Sequence, residues 1–334
     1  MKRFWALLAA LLALAGCGRQ TAGPSSAFAP AEDERLVVYT SHKEEVYGPI
    51  IREFEERTGL WAQVETGGTA QLLERIASEA EEPRCDLLFG GGVDSLSADA
   101  GLFQPYSSPL AENLPESCRC PDGSWTAFSL LPVVLIYNPV LVRVNPPQGW
   151  ESLLDPAWRG RIAFASPAVS GSSYTALATF LQALPGEDGE LLAAFHRNLR
   201  GRVLSGSGAV VGAVADGACT VGVTLEETAR KAVQAGSDVA ILYPKEGTSV
   251  LPDGMAVVAG CAHRENARRF IDFALGEDVQ RYLAQVCQRR PVRGELFQAP
   301  EAAGELTLMD YDLEWSAAAR EDILAQWRAL EEAA

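Results

Sequence analysis

The chain is short of the residues from which most enzyme and metal sites are made. It has three histidines, His42, His196 and His263, and none stands in an H-E-x-x-H helix. There is no G-x-x-x-x-G-K-[ST] phosphate loop and no G-x-S-x-G elbow, which removes the common signatures of nucleotide and serine hydrolysis. No C-x-x-C pair occurs. Cys118-Arg119-Cys120 is C-x-C without a second Cys/His cluster beside it, so a zinc site built on cysteine has no support. No two tyrosines are adjacent. Basic residues are scarce, 28 Lys and Arg against 44 Asp and Glu for a net charge of −16, too few to neutralise nucleic-acid phosphates. Beyond the first seventeen residues, no apolar run reaches the roughly 20 residues that a membrane-spanning helix needs.

What is present begins with Lys2 and Arg3, an apolar run from Phe4 to Leu14, and Leu14-Ala15-Gly16-Cys17. This is a basic n-region, a short h-region and a small-residue cleavage site. The ending resembles the bacterial lipobox, whose cysteine is lipidated and becomes the new N-terminus. Residues 1–17 are therefore expected to be a lipoprotein signal with Cys17 as the lipid anchor on the outer face of the cell membrane or in the periplasm. Loss of Lys2 and Arg3 takes the net charge to −18. Residues 18–34, rich in Gly, Ala, Ser and Pro, read as a flexible tether spanning roughly 20–25 Å. The six other cysteines, Cys85, Cys118, Cys120, Cys219, Cys261 and Cys287, can form disulfides in an exported protein, and their pairing stays open.

From Leu36 the pattern alternates between strand and helix. Leu36–Thr40, Leu60–Glu65 and Cys85–Phe89 read as strands, and Glu44–Thr58 and Thr69–Glu81 as helices. Ala127–Tyr137 is strand-like but broken by Pro132. Arg161–Phe164, Cys219–Thr224, Val239–Tyr243 and Gly254–Gly260 are further strands, with helices at Ser170–Leu184, Gly208–Ala215, Glu226–Ala235, Glu265–Leu275 and Glu277–Gln285. Ser316–Glu332 is amphipathic, with Ile323, Leu324, Trp327 and Leu330 on one face. Such alternation predicts an α/β protein with parallel sheet.

The residues Tyr39-Thr40-Ser41-His42-Lys43-Glu44-Glu45 resemble the first strand, loop and helix of bacterial solute-binding proteins of ABC importers. The branch is the one for ferric iron, hexose phosphates and phosphonates. Thr66-Gly67-Gly68-Thr69, Phe89 to Ser95, Gly149 to Leu153, Val169 to Ser173, Asp216-Gly217, Val221 to Thr224, Tyr243 to Thr248 and Met309 to Asp312 continue the resemblance in order. It implies a two-lobed, type II periplasmic-binding-protein-like fold with crossing hinge strands. Mapped here, lobe 1 comprises residues 35–129 and 255–300, lobe 2 residues 130–254, and 301–334 form a helical tail packing across both. It also implies a monomer, a membrane permease as partner, and no catalysis or cofactor. A Ser172–His42 pair would lack a third orienting group.

Ligands of open α/β sheets bind beyond the carboxyl ends of strands, where helix N-termini offer unpaired N–H groups to anions. The candidate ligand residues are Ser41, His42, Thr69, Gly91, Gly92, Ser170, Gly171, Ser172, Ser173, Ser207, Thr224 and Glu226. Ser41 is equally readable as a helix cap, with Glu44 completing a capping box. Glu226 resembles a position where hexose-phosphate binders place a carboxylate on sugar hydroxyls, or is a first-turn Glu favoured by the helix dipole. Together these predict a small anionic solute, namely a phosphorylated sugar, organophosphate or phosphonate, with a second polar handle. Ferric iron is the alternative, but the family's ferric binders carry adjacent tyrosines where this chain has Thr224-Leu225-Glu226. A sensory module without transport is the remoter alternative.

Overall fold

The computed structural model describes residues 29–296 and 306–333. Cys17 and most of the expected tether lie outside the described residues. The chain builds β1 (Arg35–Thr40), β2 (Trp61–Thr66) and β3 (Leu87–Gly92) with helices Glu44–Thr58 and Thr69–Ser78 between them. The long β4 (Thr126–Tyr137) leads to β5 (Ile162–Ala165), β6 (Val203–Leu204), β7 (Val221–Leu225) and β8 (Ala240–Leu242), then back through β9 (Val250–Val257) to the short β10 (Arg290–Pro291). The strand order is β2-β1-β3-β9-β4-β7-β5-β6, with β8 and β10 also pairing to β4.

β4 and β9 are the crossing strands. The first half of β4, Thr126–Pro132, pairs antiparallel with β9, and its second half, Val133–Tyr137, pairs with β7. Proline was expected to break this segment, yet Pro132 sits inside the strand. It stands where β4 changes partner, opposite Val250, so its missing N–H falls at a gap between two ladders. β4 alternates by face: Val133 and Leu135 enter one core of lobe 2, while Val134 and Ile136 enter the core on the sheet's other side.

Two further expectations are corrected. β3 runs past Phe89 through three glycines to Gly92, with a register shift against β9. β9 begins at Val250 rather than Gly254. A helix also forms over Asp188–Leu199 and carries His196. Its Leu191, Leu192, Phe195 and Leu199 are buried at helical spacing.

Lobe 1 is organised around Phe54, Phe89, Phe128 and Phe270, whose ring centroids lie 4.7–5.1 Å apart in edge-on pairs. The main core of lobe 2 holds Trp150, Phe164, Tyr174, Phe180, Phe195 and Trp327. Trp327 comes from the C-terminal helix Leu313–Glu332, which buries Ile323 and Leu324 beside it. The same segment touches lobe 1, where Tyr311 Oη donates to Asp94 at 3.5 Å and Arg320 lies 3.8 Å from Asp99. All six described cysteines are free thiols.

Candidate functional site

The carboxyl ends of the strands open on a cavity of about 560 Å³ between the lobes. Nine predicted residues line it: Ser41, His42, Thr69, Gly91, Gly92, Ser170, Gly171, Ser172 and Ser207. Ser173, Thr224 and Glu226 do not.

Local structure explains the difference. Ser170 caps the helix Gly171–Ala183, its Oγ accepting the N–H of Ser173 at 3.3 Å and lying 3.1 Å from Ser172 Oγ. Ser173 is thus the capped residue and is buried, whereas Ser172 turns its hydroxyl to the cavity wall. Thr224 lies within β7, 5% exposed. Glu226 opens the helix Glu226–Gln234 but is turned away. Its Oε2 accepts Arg290 Nε at 2.7 Å, its Oε1 accepts Arg290 Nη2 at 2.8 Å, and Tyr243 Oη also donates to it. One residue further, a helical rotation of about 100° carries Glu227 into the cavity.

Ser41 does not cap a helix. The helix Glu44–Thr58 has Lys43 as N-cap, without a side-chain bond, so the capping box does not form. Ser207 precedes the helix Gly208–Ala215 and likewise makes no capping bond. Three helices of eight or more residues, Thr69–Ser78, Gly171–Ala183 and Gly208–Ala215, therefore begin at the cavity with serine or threonine at or beside their first N–H groups, which carry a partial positive charge, and Glu44–Thr58 begins there three residues after Ser41. Two glycines are fixed by geometry. Gly91 has φ +112°, and a Cβ there would fall 2.7 Å from Thr69 Cγ2. At Gly171 a Cβ would fall 2.9 Å from Thr69 Oγ1, so the lobes approach each other across this residue.

The floor holds charged residues absent from the sequence-based set. Arg289 donates Nε to Glu227 Oε2 at 2.6 Å and Nη2 to Oε1 at 3.0 Å. Its Nη1 donates to Asp253 Oδ2 at 2.7 Å and lies 3.3 Å from His42 Nδ1. Asp253 Oδ1 accepts the Gly91 N–H at 2.7 Å. Burial and the Arg289 charge hold the His42 imidazole well below its usual pKa, so it is neutral. Its Nε2, 3.4 Å from Asp253 Oδ2, is out of line for a hydrogen bond. Burial pushes Asp253 up to about 6 against the opposing pull of Arg289. Burial would raise Glu227 as well, but the charge and hydrogen bonds of Arg289 overcome it and hold that carboxyl below its ordinary range. Arg289 thus faces two carboxylates and is neutralised in place. Anion attraction falls to the N–H groups and hydroxyls above it.

Among the described residues, no group of three or more His, Cys, Asp or Glu is placed to hold a metal ion. No tyrosine among the described residues lines the cavity.

A family model described as "Bacterial extracellular solute-binding protein" matches residues 82–308. "Iron uptake protein A1" of Synechocystis is 30% identical over 298 residues, covering 84% of this chain and 81% of that protein. A "Putative 2-aminoethylphosphonate-binding periplasmic protein" of Salmonella typhi is 20% identical, covering 74% of each. Among solved structures, the periplasmic binding protein AfuA from Actinobacillus pleuropneumoniae, with exogenous fructose-6-phosphate bound, superposes with a TM-score of 0.81. It is 24% identical and covers 90% of this chain and 99% of its own.

Proposed function

The chain belongs to the bacterial extracellular solute-binding proteins, and on that premise we propose that it delivers a small anionic organic solute to an ABC importer. A phosphorylated sugar, another organophosphate or a phosphonate fits best. One observation carries this reading: hydroxyls of Ser41, Thr69, Ser172 and Ser207 gather at helix N-termini around a cavity whose two carboxylates are already bound to Arg289. Oxyanions suit such donors. Glu227 and Asp253 retain lone pairs for a hydroxyl or ammonium at the solute's other end, the role expected of Glu226 from the family resemblance.

Ser41, Thr69 and Gly91 would hold the solute from lobe 1, and Ser172, Ser207 and Glu227 from lobe 2. Only closure engages both sets, so the solute favours the closed state. The boundaries at residues 129/130 and 254/255 fall in the crossing strands β4 and β9, the natural pivots. The closed monomer would dock on a membrane permease powered by a separate ATPase, with no bond in the solute broken. A lipid on Cys17 would keep the protein at the membrane.

Ferric iron is the second reading, favoured by the name of the Synechocystis relative and by the two carboxylates in the cavity. It requires both to leave Arg289, and phenolate ligands are missing from the wall. Mass spectrometry of solute released from the purified protein, with metal analysis of the same sample, decides between them. One organophosphate or phosphonate per chain supports the proposal, and one iron per chain without it overturns it. Loss of uptake on gene deletion separates transport from sensing.

A further inference from the structure

The parallel strands of lobe 2 have a second end. Their carboxyl ends face the cavity, while at their amino ends the turns 158–161, 199–202 and 217–220 lead into β5, β6 and β7. Four exposed arginines, Arg159, Arg161, Arg200 and Arg202, ring a depression of about 540 Å³ formed by these turns. Arg202 Nη1 donates to the Ala218 carbonyl at 2.9 Å, and Arg159 Nε reaches Asn198 Oδ1 at 3.4 Å. Among the described residues, none of the four forms an ion pair, and the acids nearest in sequence, Asp155 and Asp216, do not meet them. In a chain of net charge −16, four converging cations without a counter-charge are a local reversal of sign.

The backbone is shaped around one of them. Arg200 ends the helix Asp188–Leu199 with φ +50°, a left-handed C-cap position that favours glycine. The glycine comes one residue later, at Gly201. Gly160, itself at φ +71°, lets the Arg200 side chain cross its face. A Cβ on Gly160 would lie 3.2 Å from Arg200 Cδ. Arg200 thus lines the depression from a left-handed position that costs the turn energy.

We propose that this depression binds a phosphoryl group, at a site separate from the solute cavity. Guanidinium forks match phosphoryl oxygens two at a time. Two sources share that chemistry: a free phosphate compound and a phospholipid headgroup. The rim suits the second. Val140, Leu141 and Val144 are exposed, and Leu141 Cδ1 lies 3.2 Å from the place a Cβ would take on Gly217, which lines the depression. Apolar side chains beside arginines are what an anionic membrane surface holds.

Hydrogen exchange read by mass spectrometry tests this on the full chain. One arm uses inorganic pyrophosphate as probe. The other compares phosphatidylcholine vesicles with vesicles that also contain phosphatidylglycerol. Protection of 158–161, 199–202 and 217–220 by pyrophosphate is expected, weakening as salt rises. It should be about tenfold weaker in Arg159→Ala/Arg161→Ala/Arg202→Ala, with protection at the solute cavity unchanged. Protection only with phosphatidylglycerol, extending to 140–144, also supports the site and assigns it to lipid. Absence of protection in both arms, or protection that survives the triple substitution, overturns it.

Discussion

Arg289 gives Glu227 two arms of its guanidinium, Nε at 2.6 Å and Nη2 at 3.0 Å. Next to this pair, Arg290 grips Glu226 in the same way. Two adjacent arginines after a lobe 1 helix thus hold two adjacent glutamates at the start of a lobe 2 helix. The clamp sits beside the crossing strand β4, since Arg290 pairs with Leu130 and Leu225 with Val133, both on that strand. It ties lobe 1 to lobe 2, and its inner member faces the cavity.

Glu227→Gln keeps the shape of that inner pair and withdraws its charge. Arg289 would then face the Asp253 carboxylate alone, and the cavity floor would lose its excess negative charge. Affinity for the anionic solute is expected to rise about tenfold, equivalent to about 1.4 kcal/mol. Stability is expected to fall by about 3 kcal/mol, the usual cost of a half-broken buried pair. Arg289→Ala should lower both. Calorimetry and chemical denaturation measure the two effects separately. Unchanged solute affinity in Glu227→Gln would mean that Arg289 takes no part in binding.

Binding is expected to depend on pH through Asp253. The folded protein holds its proton up to about pH 6, whereas an unfolded aspartate releases it near 3.9. Proton retention therefore stabilises the fold fully below about pH 4, and that contribution is lost as pH rises toward 6. Over the same rise the cavity floor gains a negative charge, so anion affinity should fall through about pH 6. Asp253→Asn should flatten both trends. Titrating wild type and variant with the same solute removes the solute's own ionisation from the comparison, and identical pH profiles would exclude Asp253 as the cause.

The hydroxyl-rich loops and the alternation of strand and helix are written locally, which is why Ser41, Thr69, Ser170 and Ser172 and most elements could be read from the sequence. The charged floor is not local. Arg289 meets partners 36 and 62 residues away, and nothing in the sequence pairs Asp253 or Glu227 with it. Charged side chains are ordinarily exposed, so burial of three together gives no sequence signal. Glu226 was misplaced for a different reason. The end of β7 was legible, but the one-residue phase at which the next helix turns a carboxylate inward is set by packing. Pro132 does not interrupt β4, because a missing N–H matters only where a ladder needs one.

Ser172 and Ser170 share a loop but not a role. Ser172→Ala removes a hydroxyl from the cavity wall and should weaken solute binding about tenfold at unchanged stability. Ser170→Ala removes the cap on Ser173 and should destabilise by about 1 kcal/mol. If Ser172→Ala lowered the unfolding midpoint and left affinity intact, its hydroxyl would be structural.

The proposed lipid anchor on Cys17 has a direct test. Cys17→Ser should release the protein from washed membranes into the soluble fraction, with solute affinity unchanged because the described residues that line the cavity all lie beyond Thr40. Fractionation and immunoblotting give the readout. Retention of the variant on membranes would transfer the anchoring role to another part of the chain, and the arginine-ringed depression of lobe 2 would be the first surface to examine.

Gly171 tests whether closure is needed. A Cβ there would lie 2.9 Å from Thr69 Oγ1 and 3.0 Å from Thr69 Cβ, so a side chain at 171 wedges lobe 2 away from lobe 1. The position begins a helix and has ordinary backbone angles for any residue, so the wedge should not unfold lobe 2. Gly171→Ala should weaken binding modestly, because one methyl displaces a threonine by a few tenths of an ångström. Gly171→Val should weaken it by about a hundredfold, roughly 2.7 kcal/mol of closure energy. In small-angle scattering the wild type should contract when solute is added, and Gly171→Val should not. A valine variant that contracts normally and binds at full strength would show that both halves of the wall reach the solute without closing, and the two-lobe mechanism would fail.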